Sequence, residues 1–226
     1  MASLSFIKRL TCATCGRAQS SCICQWIAPV AHVVEVVVLQ HPLEVNNAKG
    51  SARLLHLSLL HSRMATGEAF DEPALKALLT EPFSPQLDAS LSKQAVLLYP
   101  DTPQDKAMGI PAPPVLTPAL LLQPARLRLI VLDGTWRKSR KMLYLNPLLQ
   151  QLPRLVLRDM PASNYLIRKA HRPDQLSTLE ATCAALMQLE RVIDPFLPLL
   201  AAFDGFVAQQ LAYQKPNCQK APACHQ

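Results

Sequence analysis

The stretch LIVLDGTWRKSRKM (residues 129–142) changes within a few positions from an apolar run to a strongly basic one. Its apolar half belongs to LRLIVLD, which predicts a strand over 127–133. Its basic half belongs to TWRKSRKMLYL, which predicts a helix over 135–145 with its N-cap near Gly134 or Thr135. A strand that is apolar without alternation is covered on both faces, so this stretch indicates an α/β protein.

The rest of the chain continues the alternation of strands and helices. Strands are predicted at 33–40, 94–100 and 154–159, and helices at 52–64, 72–80, from Ser177 to Ile193, and at 195–212. The prolines of residues 100–124 predict a surface loop. The pattern predicts a mostly parallel sheet covered by helices on both faces. Ligands bind such sheets outside the carboxyl ends of the strands, where the turns QHPLE, YPDT and LDGTW lie.

Length and composition indicate one main domain. The chain has 226 residues, half of them apolar, which suffices for one sizeable core. We expect an N-terminal segment over 1–30, a main domain over 31–213 and a polar, disordered tail over 214–226. No apolar run approaches the roughly 20 residues of a membrane helix, and the first ten residues lack a signal-peptide core. The expectation is a cytoplasmic protein that does not bind membranes, and a monomer is favoured.

The charge of the chain points to an anionic partner. The formal net charge is +7 although only 17% of residues are charged. A positive excess of this kind favours polyanions such as nucleic acids. A basic protein without such a partner has the same charge, so charge alone does not decide between the two.

Four of the seven cysteines lie within CATCGRAQSSCIC, as Cys12, Cys15, Cys22 and Cys24. Four thiolates on short turns suit tetrahedral zinc, and Gly16 permits the tight turn of a zinc knuckle. Four free thiols or an iron–sulfur cluster are the alternatives. Cys183 is expected in the core, and Cys218, Cys224 and His225 of the tail are expected to bind no metal.

Asp133 stands at the junction between the apolar strand and the basic helix. The helix carries four cations, Arg137, Lys138, Arg140 and Lys141. Arg137 and Lys141 are four residues apart, so this side of the helix can follow a phosphate backbone. Trp136 beside them can stack on a base as well as fill a core. The alternative is that Asp133 caps the helix and the cations face solvent.

Several motifs in a fixed order resemble those of the DTW-domain family. They are LQHPLE, LLYP, LDGTWRKSRKM with its Asp133-Gly134-Thr135-Trp136, and YLIRKAHRPDQLSTLEA. The resemblance covers residues 10–195, and within the family the chain is similar to the bacterial tRNA-uridine aminocarboxypropyltransferases. It implies transfer of a 3-amino-3-carboxypropyl group from S-adenosylmethionine to N3 of a tRNA uridine. It also implies a SPOUT-like fold with a knotted C-terminal half.

The resemblance and the strand-end positions together suggest roles for single residues. Asp133 is the expected general base, because uridine N3 attacks poorly until its proton leaves and a carboxylate in a partly apolar pocket can remove it. Thr135 and Trp136 are expected to hold the turn or contact the uridine. Residues expected to bind S-adenosylmethionine are Leu98, Tyr99, Pro100, Leu132, Leu176, Ser177, Thr178 and Glu180. The N–H groups at the helix start near Ser177 are candidates for the methionine carboxylate, although Ser177 and Glu180 can also form a simple capping box.

A basic surface at the strand ends is expected to bind the tRNA, mainly through phosphates. Its candidate residues are His41, Arg137, Arg140, Lys141, Tyr165, Arg168, Lys169 and Arg172, with His171 and Lys49 nearby. Glu44 and Asn46 are further candidates for the pocket, and a plain turn is the alternative for them.

Three other functions remain open from the sequence. Knotted relatives that use S-adenosylmethionine transfer a methyl group, so an RNA methyltransferase is one of them. A non-catalytic zinc-knuckle RNA-binding module is the second. An rRNA substrate in place of tRNA is the third.

Overall fold

The computed structural model describes residues 10–83, 93–100, 102–158 and 176–214. In chain order its elements are β1 (Glu35–Gln40), α1 (Ala52–Ser58), β2 (Ser62–Thr66), α2 (Glu72–Thr80), β3 (Gln94–Leu98), α3 (Pro103–Ala107), α4 (Pro118–Leu121), β4 (Leu127–Asp133), α5 (Trp136–Leu145), α6 (Pro147–Gln150), β5 (Arg154–Leu155), α7 (Thr178–Glu190) and α8 (Leu197–Gln214). Among these helices, none has both the length and the apolar character required to cross a bilayer.

One sheet of five strands organises the chain. The strand order is β2-β1-β4-β3-β5, and every pairing is parallel. The two strands with continuous apolar sequence, β1 and β4, are buried along their whole length at the centre of the sheet. Their register pairs Gln40 with Asp133, so the two central strands end side by side.

Helices cover both faces of the sheet, as the apolar strands predict. On one face, Leu129 and Val131 of β4 join a core that includes residues of α1, α7 and α8. On the other face, Ile130 and Leu132 of the same strand pack with residues of α2, α5 and α6. We call these the α7 face and the α5 face. Because successive residues of a strand point to opposite faces, the position of a residue in its strand decides whether its side chain lies on the α7 face or the α5 face.

Most predicted elements are confirmed, and the exceptions are local. The helix predicted over 52–64 was wrong in its second half, because it ends at Ser58 and the chain then forms the edge strand β2. The strand predicted over 94–100 ends at Leu98, and β5 comprises two residues. The proline-rich segment 100–124 contains the short helices α3 and α4, each with proline at its first position, where no N–H is needed.

The predicted knot and the predicted tail depend on residues outside the described ranges. The segment 159–175, which links β5 to α7, and the tail beyond residue 214 are among them. Both therefore stay predictions.

The cysteine-bearing N-terminal segment packs against α8. Trp26 donates its indole N–H to Gln209 Oε1, and the ring lies over Gly205. A Cβ at position 205 would come within 2.1 Å of that ring, so only glycine permits this contact. Tyr213 donates its hydroxyl to the carbonyl of Ser20 at 2.8 Å. The first described residues of the chain are thus held by its last described helix.

Candidate functional site

The adjacent ends of β1 and β4 hold the acidic residue on which the sequence prediction depends. Asp133 is 5% exposed, and its backbone carbonyl accepts a hydrogen bond from the His41 N–H at 3.0 Å. Successive side chains of a strand point to opposite faces of the sheet. Leu132 packs on the α5 face, so the side chain of Asp133 lies on the α7 face. Its neighbour Gln40 lies on the same face and is also buried.

Two neutral side chains hold the Asp133 carboxylate. Gln40 Nε2 donates to Asp133 Oδ2 at 2.9 Å, and Thr178 Oγ1 donates to Asp133 Oδ1 at 2.7 Å. The carboxylate is therefore fixed by donors from β1 and from the first residue of α7. Gln40 was not among the predicted site residues.

The start of α7 is a closed cap. Ser177 Oγ accepts from the Glu180 N–H at 3.1 Å, and Glu180 Oε2 accepts from the Ser177 N–H at 2.7 Å, which confirms the capping box. The Leu179 N–H donates to Ser51 Oγ at 3.3 Å. The N–H groups of residues 177, 179 and 180 therefore already have acceptors, and fewer remain for a carboxylate than the sequence suggests.

Helix α5 begins as predicted, with Thr135 as its N-cap. Thr135 Oγ1 accepts from the Lys138 N–H at 3.4 Å, and the following Trp136 is 48% exposed. The Trp136 ring meets the Tyr99 ring edge to face, with centroids 5.9 Å apart. A half-exposed indole beside a buried phenol leaves an aromatic surface open to a ligand.

The four cations of α5 have different surroundings. Lys138 Nζ lies 2.8 Å from Glu44 Oε1, and Lys141 Nζ lies 2.8 Å from Glu68 Oε2. Arg137 is exposed, whereas Arg140 is partly buried. The predicted phosphate-following surface is therefore already partly balanced by acids, and Arg137 and Lys141 are its exposed members.

His41 closes the turn that follows β1. Its Nδ1 accepts from the Leu43 N–H at 3.1 Å, so its Nε2 carries the proton donated to Glu68 Oε1 at 2.9 Å. The Lys141 ammonium, and after it the His41 ring, hold the pKa of Glu68 below its ordinary value. Glu44 in the same turn is 4% exposed and accepts from Asn47 Nδ2 at 2.7 Å. Asn46 is exposed.

The residues predicted to bind S-adenosylmethionine lie on both faces of the sheet. Leu98 packs against the core of the α7 face, and Leu176, Ser177, Thr178 and Glu180 lie at the start of α7. Tyr99 and Leu132 belong to the α5 face, and Pro100 follows them. The structure thus brings the predicted residues to one edge of the sheet but divides them between its two sides. Tyr165, Arg168, Lys169, His171 and Arg172 lie outside the described residues.

Tyr99 is the centre of a polar group that the sequence did not reveal in full. It is 2% exposed, and Arg154 lies over its ring at 5.1 Å. Arg154 Nη1 in turn contacts Asp105 Oδ2 at 2.7 Å, and both side chains are buried. Asp105 was missed because it lies in the proline-rich segment 100–124, which the sequence predicts as a loop, and Arg154 because it begins a strand of only two residues.

The four cysteines of the N-terminal segment form one cluster. The Sγ atoms of Cys12, Cys15, Cys22 and Cys24 all lie within 4.8 Å of one another, with Cys12 to Cys24 at 3.5 Å and Cys15 to Cys22 at 3.8 Å. Sulfurs bound to one tetrahedral zinc ion are about 3.8 Å apart. Gly16 has φ +69°, so glycine is needed at this turn as predicted. The donor set and its spacing fit zinc.

Backbone groups and burial act on the cysteine thiols in opposite directions. The Cys15 and Thr14 N–H groups lower the pKa of Cys12 to about 6, and burial raises that of Cys24 to about 12. A metal ligand must be a thiolate. Four thiolates within this distance would repel one another unless a cation lay between them.

The sheet, the strand-end acid and the cysteine cluster together define the class, an α/β protein with a candidate site at the carboxyl ends of its strands and a cluster of four cysteines whose spacing suits a metal ion. The DTW domain model matches residues 9–211, so the chain belongs to the DTW domain family. The match covers the cysteine cluster, the sheet and most of α8.

Three curated relatives of the chain share one name. The chain is 26% identical over 189 residues to tRNA-uridine aminocarboxypropyltransferase 2 of Macaca fascicularis. It is 25% identical over 188 residues to the protein of the same name from Mus musculus. Each match covers 81% of this chain and 58% of the relative, so the chain spans just over half the length of these two proteins. The protein of the same name from Drosophila melanogaster is 27% identical over 191 residues, which is 81% of this chain and 68% of the relative. No solved structure gives a significant match.

Proposed function

We propose that the protein transfers the 3-amino-3-carboxypropyl group of S-adenosylmethionine to N3 of a uridine in tRNA. Membership of the DTW domain family and the name shared by its relatives support this reaction. The observation that carries the proposal is the Asp133 carboxylate, which is held by Gln40 and Thr178 where the two central strands end. The family resemblance extends the proposal to a SPOUT-like knot in the C-terminal half.

The reaction needs a base and an oriented donor. Uridine N3 gives up its proton, its lone pair forms a bond to the donor carbon next to sulfur, and the carbon–sulfur bond breaks with its electrons going to sulfur. The products are the modified uridine and methylthioadenosine. A sulfonium has three activated carbons, so the position of the donor decides which carbon reacts.

Asp133 is the proposed acceptor of the N3 proton. Gln40 and Thr178 orient its carboxylate, and orientation comes before basicity in general base catalysis. Thr135 and Trp136 follow after Gly134 and place an exposed indole at the same edge, where a base can stack. Arg137 and the cations near it would contact phosphates, and the cysteine cluster would hold zinc as a structural ion.

Nucleoside mass spectrometry of total tRNA, from cells with and without the gene, tests this reaction. The proposal predicts that an aminocarboxypropyl-uridine disappears with the gene and returns with a plasmid copy. Loss of a methylated nucleoside would instead indicate a methyltransferase. An unchanged tRNA profile together with a change in rRNA would show that rRNA is the substrate. No change in either RNA would support a non-catalytic RNA-binding module.

A further inference from the structure

The start of α7 uses an acceptor from outside the helix. Leu179 is the second residue of α7, and it is buried. The first N–H groups of a helix have no acceptor within it. The capping box supplies acceptors for residues 177 and 180, and the Leu179 N–H between them donates to Ser51 Oγ at 3.3 Å. Ser51 is 3% exposed, so it completes the cap of α7 where solvent has little access.

Arg17 holds the turn that leads into Ser51. Its guanidinium donates from Nη1 to the Ala48 carbonyl at 2.7 Å and from Nη2 to the Gly50 carbonyl at 2.9 Å. The turn is tight, because the Gly50 N–H donates to the Asn47 carbonyl at 2.8 Å and a Cβ on Gly50 would meet that oxygen at 3.1 Å. Hydrogen bonds from a charged donor are stronger than neutral ones. Arg17 thus fixes the backbone directly before Ser51.

The backbone of Arg17 belongs to the turn of the cysteine cluster. The Arg17 carbonyl accepts from the Cys12 N–H at 2.7 Å, and the Gly16 N–H donates to the Cys12 carbonyl at 2.9 Å. Cys15 of the same turn is buried in the core that also contains Leu179, on the α7 face. The backbone that gathers the thiols therefore also directs the Arg17 side chain to the loop before α1.

One further contact connects this series to the Asp133 carboxylate. Thr178 directly precedes Leu179, and its Oγ1 donates to Asp133 Oδ1 at 2.7 Å. The cysteine cluster, α7 and the Asp133 side chain all lie on the α7 face, so the series does not cross the sheet. The position of the Thr178 hydroxyl depends on where α7 begins, and Ser51 helps to define that place.

We propose that Arg17 and Ser51 are positioning residues for the Asp133 carboxylate, through which the cysteine cluster holds the start of α7 and the Thr178 hydroxyl. This rests on the proposed function, because it takes Asp133 as the base. It gives the cysteine cluster a part in the reaction that needs no contact with the substrate. The cluster then affects the rate of transfer and not the binding of S-adenosylmethionine.

Nuclear magnetic resonance of the full-length protein tests the connection without an activity measurement. In Ser51→Ala and Arg17→Gln we expect amide exchange at Leu179 to become faster by roughly threefold to tenfold, the effect of one lost hydrogen bond. The carboxyl carbon signal of Asp133, identified by its absence in Asp133→Asn, should shift in both variants and in Thr178→Val. Arg17→Lys keeps one charged donor and should give a smaller shift than Arg17→Gln. Bound zinc should equal that of the unmodified protein.

Single-turnover kinetics tests the effect on the reaction. Arg17→Gln is expected to lower the rate of transfer by about threefold to tenfold, with little change in the affinity for S-adenosylmethionine. If Arg17 acts through Thr178, adding Arg17→Gln to Thr178→Val should cause a further loss of about twofold or less, because the contact on which Arg17 acts is already absent. Independent effects of the two changes would instead multiply.

Two variants alter other attachments of the cysteine-bearing segment and serve as controls. Arg53→Gln removes a hydrogen bond to the Thr14 carbonyl at 3.0 Å, and Tyr213→Phe removes one to the Ser20 carbonyl at 2.8 Å. Both should leave the Asp133 signal and the rate of transfer unchanged.

Three results overturn the proposal: an unshifted Asp133 signal in Arg17→Gln, an equal loss of rate in the control variants, or multiplied losses in the double variant. Failure of the proposed function is distinguishable from these. If the unmodified protein transfers nothing, the proposed function is wrong, and the exchange at Leu179 and the Asp133 signal still decide whether Arg17 and Ser51 position this carboxylate.

Discussion

At the level of single residues, the proposed reaction depends on how Asp133 is held. The sequence predicts the acid and its place at a strand end, because LRLIVLD can only be a buried strand. It does not predict the two donors, because Gln40 lies 93 residues away and Thr178 lies 45 residues away along the chain. Contacts of this kind depend on strand order, which a pattern of apolar residues does not contain.

Loss of the Asp133 charge should stop the reaction and leave donor binding nearly intact. In Asp133→Asn the side chain keeps its shape but accepts a proton poorly, so we expect the turnover of tRNA to fall at least a hundredfold, within the range of general base catalysis. Single-turnover kinetics with purified tRNA measures this, and titration with S-adenosylhomocysteine measures binding. Full activity in this variant would refute the role of Asp133.

Thr178 is expected to act as a positioning residue through Asp133. Thr178→Val keeps the shape of the side chain but removes the 2.7 Å hydrogen bond, and we expect kcat to fall by about tenfold with little change in KM for S-adenosylmethionine. Thr178→Ser keeps the hydroxyl and should restore most of the activity. Thr182→Val, one turn along α7, removes a hydroxyl that bonds to the Thr178 carbonyl and serves as the matched control. Equal losses of kcat at positions 178 and 182 would contradict a specific role.

At the scale of elements, the sequence is most informative where an element is long and its burial is simple. Strand β4 and helices α2, α5 and α7 lie where their patterns predict them. The edge strand β2 was missed because SRMAT is short and partly exposed and directly follows a leucine-rich helix. Its pairing with β1 is parallel, and parallel pairing has no local turn signal.

A buried ion pair lies near the start of the central strands, away from the candidate site. Arg128 is 0% exposed, and its Nε and Nη2 donate to Glu35 Oε2 at 2.9 and 2.6 Å. Arg128→Leu would leave the Glu35 carboxylate buried with less positive charge beside it. We expect this variant to lower the free energy of unfolding by about 3–5 kcal/mol in urea titrations.

The double variant Glu35→Leu/Arg128→Leu is the informative control for this pair. Removing both charges should recover much of the lost stability, because a buried pair replaced by apolar residues is often neutral. A single Arg128→Leu variant within about 1 kcal/mol of the unmodified protein would show that the pair is not needed.

At the scale of the whole molecule, the cysteine cluster is connected to the loop that precedes α1. Arg17, two residues after Cys15, donates to the carbonyls of Ala48 at 2.7 Å and Gly50 at 2.9 Å and lies over the Phe206 ring at 5.3 Å. Ser51, which follows Gly50 in the chain, accepts a hydrogen bond from the Leu179 N–H at the start of α7. The spacing of the cysteines predicts the cluster, but no sequence pattern predicts these attachments.

Metal removal is therefore expected to increase backbone motion outside the N-terminal segment as well as within it. With a thiol-compatible chelator, we expect faster amide hydrogen exchange at residues 48–51 and in α8, and little change in α5. The thermal midpoint should fall by roughly 2–4 °C for each kcal/mol lost in a chain of this size. Restoring zinc should reverse both effects. An exchange pattern that changes only around the cysteines would show that the cluster is independent of the site.

The most direct test of the central claim follows the transferred carbons. Purified protein is incubated with tRNA and S-adenosylmethionine labelled either in the aminocarboxypropyl carbons or in the methyl carbon, and the label in uridine is measured. The account predicts label in uridine only from the aminocarboxypropyl carbons, with its loss in Asp133→Asn. Label from the methyl carbon, or aminocarboxypropyl transfer that is unchanged in Asp133→Asn, would contradict it.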